Sequence, residues 1–523
     1  MKKIFIIFSF YTLILKGQIP NVLISNELEP EEVSIAINPK NTNQVIAGAN
    51  ISSAYYSQDA GKSWQRTSVV CAPYGVYGDP VVFWDTSQNA YFMHLSLPNP
   101  KLTPGGSWID RIVTNKSTNF GQNYDVCTAV GKNGSKVQDK HWVAVDPSNN
   151  VIHASWTQFD KYESKNRTDS SIIRYSNSKD GGLTWTEPIR ISAYAGDCLD
   201  SDSTVEGAVP CIGPKSQIYI AWAGPKGLCF NKSLDGGKTF LTKEKIINPI
   251  KNGWDYEVDG IFRANGLPFN ACDNSKSQYK GRVYICWSDE KNGVKNKDVF
   301  LVYSDDEGES WSDPILITYH PNHKEQFMPC LTVDQSTGYL YIIYYSRQNF
   351  LSGDLTDVYL AVSKNGGLKF DHYKLNDKPF NPNKQVFFGD YIGVSAVNGV
   401  IRPIWMELNN AKLSILTALF NDSIASLYDV INSKKEIELI NKSIKFEEKI
   451  NLSLQSKIST KIDVAIYDAL KPSSEIVVLK NKKIKKGNNR LLIDTKKLNL
   501  TKGTYVIFLY YNNTQLYYWI LEE

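Results

Sequence analysis

The sequence predicts an all-β protein built as a radial or stacked repeat, with a smaller β domain after it. Two observations carry this. One short pattern occurs six times between residues 57 and 370: Ser, any residue, Asp or Asn, any, Gly, two more, then an aromatic. The copies are Ser57-Asp59-Gly61-Trp64, Ser117-Asn119-Gly121-Tyr124, Ser178-Asp180-Gly182-Trp185, Ser233-Asp235-Gly237-Phe240, Ser304-Asp306-Gly308-Trp311 and Ser363-Asn365-Gly367-Phe370. Their starts lie 60, 61, 55, 71 and 59 residues apart, and a near-constant period of this size marks a repeat architecture. The second observation is a succession of short alternating apolar segments bounded by Gly, Asn, Asp and Ser turns.

The motif's residue types suit a tight hairpin turn. Ser and Asp or Asn side chains bond nearby amides, and Gly supplies a positive φ. The aromatic begins the next strand and folds back into the core. Six copies in phase resemble the Asp-box, or BNR repeat, of the sialidase-like β-propellers. On this reading Asp59, Asn119, Asp180, Asp235, Asp306 and Asn365 are structural staples, and a propeller fold is expected.

Each unit repeats the same order of strands. In the third unit, Trp142–Asp146 leads to Val151–Trp156, then Ile172–Ser176 and the motif, then Pro188–Ile191. Second strands recur at Ala90–Leu95, Ile218–Trp222, Val283–Trp287 and Leu340–Tyr344. A last unit, Tyr391–Ala396, Val400–Trp405 and Leu413–Leu419, has no motif and lacks a fourth strand. Asn21–Ser25 precedes the first unit and belongs to none, so it is expected to supply that strand and close a ring. Seven blades result, within the range of propellers. The sialidases that the chain resembles have six, which makes a six-bladed ring with a decorated end the alternative.

The ends read differently. Lys2 and Lys3 precede the apolar run Ile4–Leu15, and residues 1–17 are expected to be a secretory signal peptide, the run being too short to span a bilayer. A secreted or cell-surface protein without a transmembrane span is therefore expected, with its propeller over residues 18–424. The last 103 residues hold 17 Lys+Arg against 12 Asp+Glu and no Cys or His, whereas the part before them has 41 against 42. Neither balance is basic enough to argue for nucleic acid. Strand patterns at Asp463–Tyr467, Glu475–Leu479, Arg490–Ile493 and Tyr505–Tyr510 predict a small β-sandwich over 425–523. Val464–Asp468 and Leu500–Tyr505 resemble the C-terminal sorting domain of Bacteroidetes type IX secretion, which implies secretion machinery as a partner. The run Lys482-Lys483-Ile484-Lys485-Lys486 reads as a solvated turn.

All eight Cys precede the tail. Cys229 and Cys286 fall on strands as small buried thiols. Cys198, Cys211 and Cys272 lie in or beside loops, and a bridge among them is expected. There is no C-x-x-C pair, and His320 and His323 sit in a Pro-Asn loop, so neither zinc nor another cofactor is expected. Asp197–Asp202 carries oxygen ligands enough for a structural calcium, though without EF-hand spacing.

In a propeller, loops entering the first strands and leaving the second strands meet at one mouth, while the motifs lie at the other end. The mouth should therefore gather carboxylates, a few Arg and aromatics such as Tyr77, Trp142, Trp254 and Tyr256. Aromatic faces suit sugar rings, and crowded carboxylates have split pKa values. The resemblance implies a glycoside hydrolase or other glycan-processing propeller acting on a carbohydrate ligand outside the cell. The family's catalytic pattern does not match residue by residue, but if the chain is catalytic the mouth positions make Glu206 the activator, Tyr391 the nucleophile and Asp139 the acid/base, with Arg263 and Arg347 holding an anionic group of the substrate. The sialidases also carry an Arg-Ile-Pro segment early in blade 1. Here the first Arg is Arg66, directly after a motif. The competing class is a non-catalytic glycan- or protein-binding propeller.

Overall fold

A computed structural model describes residues 19–98, 108–318, 324–350, 352–409 and 412–422, and much of the tail between 437 and 521. The expected signal peptide, the domain boundary near 425 and the pair His320 and His323 lie outside the described residues.

The ring has seven antiparallel blades, six of four strands and a seventh in which the short Phe420–Asn421 adds a fifth. Blade 1 is Ser34–Asn38, Asn41–Ala49, Ser53–Ser57 and Gln65–Ser68, and the strand order inside the first six blades runs from the axis outward as in the chain. The first strands of the other six blades are Gly78–Trp84, Val137–Val145, Glu206–Ile212, Phe269–Cys272, Gln326–Val333 and Gly393–Val397. Each touches the first strand of the next blade, and Gly393–Val397 touches Ser34–Asn38, which closes the circle. Closure is completed as expected: Asn21–Ser25 pairs antiparallel with Lys412–Ala418 as the outer strand of blade 7. The N-terminal strand thereby ties the seam, and each blade keeps only short edges.

The six motifs share one geometry. In blade 4 the Gly237 amide donates to Ser233 Oγ at 2.9 Å, Ser233 Oγ donates to Asp235 at 2.7 Å, and Thr239 donates backbone and side chain to the same carboxylate. The third-position glycines Gly61, Gly121, Gly182, Gly237, Gly308 and Gly367 all have φ between +79° and +85°, which only glycine adopts without strain. These turns also join blades. A Cβ on Gly237 would meet Tyr175 of blade 3, one on Gly308 would meet Phe230 of blade 4, and one on Gly121 would meet Ile46 of blade 1. At the seam, Arg402 of blade 7 donates to the carbonyl of Ala60 in the blade 1 motif, at 2.6 Å. Asp235→Ala is expected to lower unfolding free energy by about 1 kcal/mol, the worth of lost side-chain-to-backbone bonds. Ligand affinity of the folded protein should stay constant; reduced affinity with an unchanged melting curve would give the motif a functional role.

One disulfide, Cys71–Cys127, joins the loop after blade 1 to the outer strand of blade 2. This corrects the expected bridge among Cys198, Cys211 and Cys272, which are buried free thiols. Cys211 and Cys272 are strand residues packed in one apolar cluster, not loop residues facing each other.

The tail is a second all-β unit. A three-stranded sheet contains Ile437–Leu439, Lys449–Ser456 and Gly487–Asp494, and a five-stranded sheet contains Thr460–Asp468, Lys471–Ile484 and Tyr505–Tyr511. Its core, including Leu452, Leu454, Ile462, Val464 and Leu491, is separate from those of the ring. No helix among the described residues is long and apolar enough to cross a membrane.

Candidate functional site

The entries to the first strands place the site. Glu32, Asp79, Lys140, Gly207 and Met328 all have φ between +47° and +71°, immediately before or within a first strand. In four of these strands the ladder register shifts at that point, as in Gly78/Val81 and Asp139/Trp142. A bulge re-aims side chains at a sheet end, and a left-handed non-glycine residue is uncommon and costly. Repeated around the ring, the device brings Glu32, Asp79 and Lys140 together at the mouth.

Lys140 is the hub. Its ammonium contacts Asp390, lies 3.3 Å from Asp79 and 3.6 Å from Glu32, and is nearly enclosed. Asp390 also receives Arg263, whose Nε donates to Oδ1 at 2.8 Å while a terminal nitrogen contacts Oδ2. Arg263 stands in the loop between the short strands Asp255–Tyr256 and Ala264–Asn265, and its guanidinium also lies 3.5 Å from Asp200. Asn50 aligns the acids. Its Oδ1 accepts the Asp79 amide at 2.8 Å and its Nδ2 donates to Glu32.

The mouth holds the carboxyls of Glu31, Glu32, Asp79, Asp139, Asp200, Glu206 and Asp390 against Lys140 and Arg263. They separate by environment. Asp390 is held well below the ordinary carboxylate range: Lys140 and Arg263 outweigh its burial. Burial pushes Asp139 up to about 7, with Asp79 adding to the shift. Glu31 is likewise raised to about 7 by burial. Glu32 and Glu206 are pushed far up by burial and by acidic neighbours, Asp79 for the first and Asp200 for the second. Two carboxyls with opposite shifts in one site are the usual basis for a division into proton donor and ionised partner.

A cleft of about 330 Å³ opens over this cluster. Asp79, Asp139, Lys140, Asp200 and Arg263 line one side, and Tyr77, Trp108 and Tyr162 form an aromatic wall. Tyr77 and Trp108 meet edge to face at 4.8 Å, Trp108 and Tyr162 at 5.7 Å, and the Tyr162 hydroxyl donates to Asp200 at 2.6 Å. Trp108 is 6 % exposed, yet its indole N–H has no acceptor among the described residues. A buried indole N–H ordinarily finds one.

The residues expected from sequence fall in different places. Asp139 and Arg263 line the cleft. Glu206 lies buried against the carboxyl of Asp200. Tyr391 is buried edge-on to Trp142, its hydroxyl without a partner among the described residues, and burial drives its pKa far up. The charges acting on Tyr391 are those of Glu32, Asp79, Lys140 and Asp390, so Glu206 and Tyr391 do not form a hydrogen-bonded pair. Arg347 lies outside this cleft. It donates to Glu325 at 3.0 Å, to Thr356 and to the carbonyl of Asp259, bracing the loop that carries Arg263. The carboxylates of the 197–202 stretch diverge: Asp197 accepts from Thr204, Asp200 from Tyr162, and Asp202 from the amide of Asp255. No cluster of three His, Cys, Asp or Glu able to hold a metal occurs among the described residues. Lys140, Glu32 and Trp108 were not singled out as working residues by sequence.

Among known families, the BNR/Asp-box repeat matches residues 55–66, the first of the six copies. None of the curated proteins matches the sequence. Solved structures with similarity include the Hadza microbial sialidase Hz136, at 12 % identity over 73 % of this chain and 74 % of that one, with a TM-score of 0.43. A Penicillium chrysogenum α-L-arabinanase shares 14 % identity over 62 % and 92 %, with a TM-score of 0.40. A Trypanosoma rangeli sialidase shares 10 % over 87 % and 84 %, with a TM-score of 0.42. All three lie below a TM-score of 0.5, so the chemistry of the site rests on its own residues.

Proposed function

We propose that the chain is a glycan-processing propeller whose mouth cleaves a neutral glycosidic bond, with Asp139 as proton donor. The observation that carries this is the position of Asp139. It lines an aromatic-walled cleft, and burial keeps its proton to about pH 7, while Asp390, paired with the neighbouring Lys140, stays ionised. A general acid works best with a pKa near the operating pH. The aromatic wall supplies a face for a sugar ring.

The same geometry argues against a sialoside. Anionic sugars are held by guanidinium groups facing the ligand. Here Arg263 is paired with Asp390 and Asp200, Lys140 with three carboxylates, and Arg347 with Glu325. The second reading is glycan binding without cleavage, favoured by the buried Tyr391, whose hydroxyl has no base bonded to it among the described residues. Incubation with neutral oligosaccharides separates the two. New reducing ends support hydrolysis; retention of intact sugar supports binding alone; neither, across a broad panel, removes both.

Export completes the proposal. Residues 1–17 would act as the signal peptide and residues 425–523 as a sorting or anchoring module that delivers the propeller to the surface or medium. The tail's own core supports treating it as a separate unit. Deleting 425–523 is expected to leave a folded propeller and to stop its arrival outside the cell; normal delivery of the truncated protein would contradict the sorting role.

A further inference from the structure

We infer that the ligand is a neutral oligosaccharide chain that runs from the central cleft outward along a groove between blades 7 and 1; this rests on the glycan reading above. Beside the 330 Å³ cleft lies a second, larger depression of about 610 Å³. The two share the walls Glu31, Asn50, Ile51 and Phe387, so they form one continuous path. Beyond that junction the groove is bounded by Leu28, Ser52 and Gln385 and ends at Leu413, at the start of blade 7's third strand. A site for a single terminal sugar has no use for this extension. A chain of sugars does.

The chemistry of the groove selects the occupant. No Lys or Arg lines it, which leaves nothing to neutralise a polyanion. Its polar groups are the amides and hydroxyls of Asn50, Ser52 and Gln385 and the carboxyls of Glu29 and Glu31, which can bond sugar hydroxyls and would repel a polyanion. Its apolar groups stand in the open, Leu28 at 68 % and Ile51 at 55 % exposure, as surfaces for the faces of a sugar ring. Phe387 is held at the junction from two sides: Phe262 meets its ring at 5.8 Å, nearly perpendicular, and the Arg263 guanidinium sits 5.2 Å from its centre. The group that ties down the catalytic cluster therefore also orients the first platform of the groove. Glu31 stands at the same junction, where burial keeps its carboxyl neutral to about pH 7 and spares the sugar an adjacent charge.

The test is a length series of neutral pentose and hexose oligosaccharides from two to six units, read as kcat/KM where cleavage occurs and as Kd where it does not. Affinity or kcat/KM is expected to rise about tenfold or more from dimer to tetramer, as further rings gain contacts in the groove. Gln385→Trp, at an exposed position that lines only the groove, should erase this gain by filling the groove. Leu28→Ala removes one exposed wall and serves if the bulky variant does not fold. Dimers and tetramers handled equally by the native protein, or a length dependence untouched in both variants, would overturn the groove while leaving the cleft reading intact. Neither binding nor cleavage at any length would overturn the glycan reading itself.

Discussion

Lys140→Met is expected to destabilise the propeller by about 3–5 kcal/mol, the penalty for breaking a buried ion cluster from one side. The substitution keeps the length of the side chain and removes the charge shared by Asp390, Asp79 and Glu32. Arg263 would still hold Asp390, but Asp79 and Glu32 would face each other without a cation. Denaturant unfolding measures this. Lys295→Met is the contrast: its pair with Asp259 is 3.1 Å long but open to water, and its loss should leave the midpoint where it is. Equal small effects for the two variants would show that Lys140 is not the hub of the mouth.

The second large effect is catalytic. Asp139→Asn keeps the shape of the carboxyl and removes its proton, and should lower kcat/KM on a neutral glycan by about 10²–10⁴-fold. In the native protein, activity should fall as pH rises through about 7, where Asp139 ionises and can no longer donate. A readout independent of turnover follows from the same shift. Asp139 and Glu31 are raised to about 7 in the fold, so above the ordinary carboxylate range the native state holds protons that the unfolded chain has released. Their contribution to stability therefore falls as pH rises from that range to about 7. The decline should be shallower in Asp139→Asn. A variant with full activity, or an unchanged slope of stability against pH, would remove Asp139 from the role of donor.

The scaffold was legible because its signals are local. Ser233, Asp235, Gly237 and Phe240 lie within eight residues of chain, and the turn they make depends on nothing distant. The seam was legible by elimination, since Asn21–Ser25 had no unit and the last unit lacked a strand. The mouth was legible only in part. Its position within a blade marked Asp139 and Arg263 correctly as cleft residues, but the same rule marked Arg347, which Glu325 takes up 22 positions away in sequence. Lys140 reads locally as a strand residue next to an acid; its meaning comes from Asp79 and Asp390, 61 and 250 positions distant. Trp108 stands outside every repeated motif, and only the ring brings it into the same cleft as Asp139. The Cys71–Cys127 bridge had no local signal either, because it links two blades and eight cysteines admit many pairings.

The central claim is that the mouth acts on neutral glycans, its cations being already engaged by its own acids. The measurement that tests it most directly sets a fluorogenic sialoside beside a panel of neutral polysaccharides, with release followed for the native protein, Asp139→Asn and Glu206→Gln. The account predicts no turnover of the sialoside, release of reducing ends from at least one neutral glycan, and loss of that release in Asp139→Asn. Hydrolysis of the sialoside that disappears in Glu206→Gln, with the neutral panel untouched, would contradict it.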